Sequence, residues 1–153
     1  MRRLLLLLLT LGIIVLAGNA NAVSGKIVKV LPHFLDQQGK HTKSPSLFDR
    51  DAYQTYLREH PEKRSGVRYD IQWKAKDQQS ELKLRVELRG VAEGKLPKEK
   101  TLESTVKAPS GWSRWTNLSI KDEDYKELGE VTAWRVTLWD GDTLVDEQTS
   151  FLW

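Results

Sequence analysis

The stretch from Val131 to Trp153 constrains this chain more than any other. Two β-rich runs, Val-Thr-Ala-Trp-Arg-Val-Thr-Leu-Trp and Thr-Leu-Val-Asp-Glu-Gln-Thr-Ser-Phe-Leu-Trp, flank Asp140-Gly141-Asp142. An Asp-Gly pair between alternating apolar residues is a strong hairpin signal, because glycine adopts the positive φ that a two-residue turn demands. Trp134, Val136 and Leu138 fall on one face and Arg135, Thr137 and Trp139 on the other, which is the period of a strand. A type I′ turn at Asp140-Gly141 pairs Val136 with Val145, Leu138 with Thr143 and Arg135 with Asp146. A type II′ turn at Gly141-Asp142 is the alternative. The first register sets Glu147 against Trp134, a mismatch that predicts a bulge near residues 146–148. Trp134, Val136, Leu138 and Phe151 are expected in the core, with Trp139 free.

The same period recurs upstream. Val67, Tyr69, Ile71 and Trp73 alternate with polar residues, and Leu82, Leu84, Val86 and Leu88 do so most cleanly. A polar run near Lys100–Val106 predicts an edge strand. Trp112–Ile120 predicts another, and takes the Asn117-Leu118-Ser119 sequon as strand rather than glycosylation site. Gly25–Leu31 is a short first strand with Pro32 as its stop. Lys76–Ser80 and Pro109-Ser110-Gly111 read as turns. Ser46 and Asp49 have capping-box spacing ahead of a helix over Leu47–Glu59, with Phe48, Ala52, Tyr53, Tyr56 and Leu57 on one face and Pro61 as terminator. A single helical turn is expected around Tyr125, ending at Gly129.

Seven strands predict a mainly β fold, an antiparallel two-layer sandwich. In strand number and spacing it resembles the immunoglobulin-like and fibronectin-III-like architectures. Its special feature is a loop-and-helix insertion at residues 32–66, expected to plug one open end. The long connections at 32–66 and 90–100 are expected to cross between the sheets.

Residues 1–22 read as a signal peptide: Arg2 and Arg3, a 14-residue apolar run from Leu4 to Ala17, and Ala20-Asn21-Ala22 before the cut. The apolar run is short for a membrane span, and an uncleaved anchor is the alternative. Cleavage leaves one domain, 23–153, of 131 residues with 22 basic and 21 acidic side chains. That balance gives no electrostatic footprint for nucleic acid. With no cysteine, the chain suits a bacterial periplasmic or secreted protein better than a disulfide-stapled one. No stable membrane insertion is expected once the leader is removed.

The chemistry is sparse. His33, His41 and His60 lack the spacing of a metal signature, and the single methionine is Met1, so soft copper ligands are missing. No metal or cofactor is expected. With no cysteine and no Gly-x-Ser-x-Gly elbow, catalysis is not expected either. Six tryptophans are the richer signal. Trp112 and Trp115 are three apart, so a regular strand cannot turn both inward. The candidate contact residues are therefore Trp112, Trp115, Trp139, His33 and His41. The expected function is a non-catalytic interaction or structural module whose partner is a protein or glycan of the cell envelope. The alternatives are a carbohydrate-binding module using exposed tryptophans and a hydrolase with its site in the 32–66 insertion.

Overall fold

Strands with one apolar face can bury it only against another layer. The computed structural model, which describes residues 24–76, 81–107 and 112–153, has this arrangement. Seven strands form: β1 (Gly25–Asp36), β2 (Arg64–Ala75), β3 (Glu81–Val91), β4 (Lys98–Lys107), β5 (Arg114–Lys121), β6 (Glu130–Asp140) and β7 (Thr143–Thr149). They make a three-stranded sheet in the order β1-β2-β5 and a four-stranded sheet in the order β4-β3-β6-β7. All pairings are antiparallel. The fold is an immunoglobulin-like β-sandwich. Its fourth strand joins the third, as in fibronectin-III-like domains, whereas in antibody constant domains it lies in the sheet of the first, second and fifth.

The core lies where the period-two pattern puts it. Tyr69, Ile71 and Trp73 of β2 face Leu82, Leu84, Val86 and Leu88 of β3 and Val136 and Leu138 of β6, all buried. The Tyr69 and Trp134 rings meet edge to face at 6.2 Å. The one polar atom of Trp73, its indole N–H, donates to Thr116 Oγ1 at 2.9 Å, so the ring is buried without an unsatisfied group. β4 is an edge strand, as its polarity implies.

Several expectations need correction. Pro32 does not stop β1, which runs to Asp36 and carries His33 out of the expected loop into a strand. β1 is an outer strand of its sheet, and an edge tolerates a residue without an N–H. The terminal hairpin closes with Asp140 opposite Thr143, so the turn is Gly141-Asp142, with Gly141 at φ 54°. The irregularity falls at Val145, one residue ahead of the expected span, and the register beyond it sets Arg135 against Thr149. The Arg135–Asp146 pair therefore does not form. Arg135 pairs with Glu87 at 2.8 Å, and Asp146 accepts the Ile27 N–H at 2.7 Å, tying β7 to β1 across the open side of the sandwich. Phe151 is fully exposed. Ser150 ends the strand pairing by donating its N–H to Trp134 O at 2.9 Å and accepting the Trp134 N–H on its hydroxyl oxygen at 3.0 Å.

The first helix, α1 (Leu47–Glu59), has the expected ends, and the Ser46 hydroxyl accepts the Asp49 N–H at 3.4 Å. Its buried residues are Gln54 and Leu57, however, and the aromatic face proposed from periodicity is largely outward, with Phe48 82% exposed. The turn around Tyr125 is a second helix, α2 (Asp122–Leu128), ended by Gly129 at φ 81°. Neither long connection crosses between sheets: α1 lies between β1 and β2, and residues 92–97 join β3 to β4, each pair within one sheet. The crossings are the β2–β3, β4–β5 and β5–β6 connections. Most of the two expected turns, 77–80 and 109–111, lies outside the described residues.

Candidate binding face

Register decides which outward side chains become neighbours. On β2 the inward residues are buried, so Arg68, Asp70, Gln72 and Lys74 point away from the core. Pairing places Lys29 and Trp115 on either side of Gln72. The next row is Leu31, Asp70 and Asn117, and the one after is His33, Arg68 and Ser119. Directly opposed residues on one face stand about 5 Å apart, so these rows form a continuous surface on the outside of the three-stranded sheet. Trp115 is 49% exposed there. The Gln72 amide donates to Ser113 Oγ at 2.8 Å, which leaves its carbonyl oxygen as an acceptor.

One end of this face is a polar cluster. Asp70 lies 2.7 Å from the Arg68 guanidinium and 3.2 Å from His33 Nδ1, and the His41 ring is 5.2 Å from that of His33. Burial alone would raise the Asp70 carboxyl, but the adjacent His33 ring and the hydrogen-bonded Arg68 guanidinium outweigh it and hold the group below the usual carboxylate range. His41 is also held below its ordinary value, first by burial and then by the Arg68 charge. His33 and His41 thus come together, as their shared segment implies, although on a strand and its following loop. Among the described residues no three metal-ligating side chains converge.

The tryptophans divide unevenly. Trp115 belongs to this face. Trp112 precedes β5 and is 82% exposed. Trp139 is on the opposite sheet and is not free. Its indole N–H donates to Thr137 Oγ1 at 2.8 Å, and the Arg85 guanidinium lies over its ring at 5.3 Å.

The insertion is locked to β1 by named polar groups. The Gln54 amide accepts the Phe34 N–H at 2.8 Å and donates to Phe34 O at 3.0 Å and His41 O at 2.8 Å. It thereby takes the place of a neighbouring strand along this edge. Asp36 accepts from the Tyr53 hydroxyl at 2.7 Å and from the N–H groups of Gln38 and Lys40 at 2.8 and 2.9 Å. Burial pushes that carboxyl up, but the three donors together hold it below its ordinary value. Tyr53 is pushed up to about 12 by burial and by Asp36. A carboxylate held ionised in this way is the opposite of a poised general acid.

Gln72, Asn117 and Lys29 were not singled out from sequence. Their outward direction was readable from strand period, but their convergence depends on β1, β2 and β5 sharing one sheet.

No protein-family model matches the chain, and no curated protein matches it in sequence. Among solved structures it is similar to an immunoglobulin-like protein from Pseudomonas aeruginosa, at 12% sequence identity and a TM-score of 0.38, over 84% of this chain and 95% of that one.

Proposed function

We propose that the protein is an exported, non-catalytic binding module that holds a glycan on the outside of its three-stranded sheet. The leader-like residues 1–22 support export to the cell envelope. The observation that carries the ligand class is the row Lys29–Gln72–Trp115 with Asn117 and Asp70 beside it. An exposed indole offers a flat apolar platform for the C–H face of a sugar ring. Amide and carboxylate groups in the same plane can bond adjacent hydroxyls. An open sheet face without a closed pocket suits an extended polymer.

Titrating tryptophan fluorescence with envelope glycans is expected to give a saturable change. Trp115→Ala should weaken binding by about tenfold or more without moving the urea midpoint, and Trp139→Phe should leave binding intact. No response to any glycan would overturn the reading. A second reading, a protein partner, is favoured by Leu47 and Phe48, which are 67% and 82% exposed side by side on the first turn of α1. In that case Phe48→Ser removes binding and Trp115→Ala does not.

A further inference from the structure

Resting on the glycan reading, we infer that the ligand is anionic, a polysaccharide bearing carboxylate groups such as a uronic-acid polymer. The chain is nearly neutral without its leader, yet its charge is segregated. The strands of the three-stranded sheet carry seven Lys or Arg against two Asp or Glu; Arg64 and Asp36 are buried beneath the insertion, and Lys26, Lys29, Arg68 and Lys74 share the outward face with Asp70. Those of the four-stranded sheet carry seven against eight.

Pairing sharpens the contrast. On the four-stranded sheet Arg85, Arg89 and Arg135 each meet a glutamate, at 2.6, 3.1 and 2.8 Å. On the candidate face Arg68 engages Asp70, while Lys26, Lys29 and Lys74 form no ion pair among the described residues. Lys26 and Lys74 are directly opposite each other on β1 and β2. Like charges so placed destabilise a sheet, and a bound anion relieves them. Lys74 is two residues along β2 from Gln72, about 7 Å, so its cation stands next to the row that contains Trp115. Platform and cations thus occupy one surface. Uncharged sugar would use the first and gain no charge attraction from the second.

The test titrates the protein with polygalacturonate, alginate and hyaluronate, and with the same polymers after their carboxyl groups are esterified. At least one acid form is expected to bind about tenfold more tightly than its ester, and to weaken as salt rises. Trp115→Ala and the double variant Lys26→Gln/Lys74→Gln should each lose that binding, the first with the wild-type urea midpoint and the second with a midpoint equal to or above it, since it removes the Lys26–Lys74 repulsion. Equal binding of acid and ester, lost in Trp115→Ala, would overturn the anionic ligand and leave the glycan reading standing. No binding of any acid or ester would overturn the anionic ligand, and the glycan reading falls with it only where the envelope glycans also give no fluorescence response. Equal or tighter binding of polyglutamate or oligothymidylate would assign the face to another polyanion and also overturn the inference.

Discussion

Replacing Trp73 by alanine is expected to cost about 3–5 kcal/mol of stability, the range for removing a large buried aromatic. Trp73 is fully buried between the sheets, and its indole N–H is satisfied by Thr116 across the β2–β5 pair. Alanine leaves a cavity that two hydrogen-bonded sheets cannot collapse to fill, and it removes the donor to Thr116. Phenylalanine keeps most of the volume and loses the hydrogen bond, so its cost should be smaller, about 1–2 kcal/mol. Urea unfolding followed by circular dichroism measures both. A Trp73→Ala midpoint close to wild type would mean that the ring does not sit where the two layers meet. The exposed Trp115 is the internal contrast: its replacement should shift stability by less than about 0.5 kcal/mol.

The second large effect is expected at Arg64. Its side chain is only 3% exposed. It donates to Leu57 O at 2.5 Å and Arg58 O at 2.6 Å, two carbonyls at the C-terminal end of α1, and to Glu130 Oε2 at 2.7 Å. The guanidinium also lies over the Phe34 ring at 3.9 Å. Helix C-terminal carbonyls need partners, and a cation there also meets the favourable end of the helix dipole. Glu130 is half exposed, so the ion pair contributes less than the carbonyl bonds. Arg64→Ala should therefore cost about 2–4 kcal/mol, and amide exchange in α1 should rise more than exchange in β3 and β6. Arg64→Lys cannot reproduce the planar fork and should recover only part of the loss. Uniform acceleration of exchange would show that Arg64 supports the whole sandwich and does not specifically anchor the insertion.

These two residues mark what could be read from the sequence. Trp73 falls in an uninterrupted alternation from Val67, so its inward direction followed from period two alone. Arg64 carries no local signal: between Pro61 and Gly66 it reads as a surface charge, and its burial depends on α1 folding back over the end of β1. The strands were legible for the first reason, and the sheet crossings were not, because loop length does not say which strand a chain will join. The α1 boundaries followed from Ser46 and Pro61, but its buried face did not. A helix fixed to a strand edge through Gln54 breaks the rule that apolar positions face inward, which left Phe48 outside.

The candidate face was half legible for the same reason. Trp112 and Trp115 could not both be inward, so an exposed tryptophan was expected. The Arg85 guanidinium over the Trp139 ring could not be foreseen without the pairing of β3 and β6. Lys29, Gln72 and Trp115 are 43 and 43 residues apart along the chain, and only the antiparallel registers of β1, β2 and β5 put them in one row.

The most direct test of the binding face is amide and indole chemical-shift mapping on the ¹⁵N-labelled protein as a glycan that gives a fluorescence response is added. The largest changes are expected at the Trp115 indole and at the amides of Lys29, Gln72 and Asn117, fading toward His33. Changes centred on Leu47 and Phe48, or on Trp139 in the opposite sheet, would contradict the assignment.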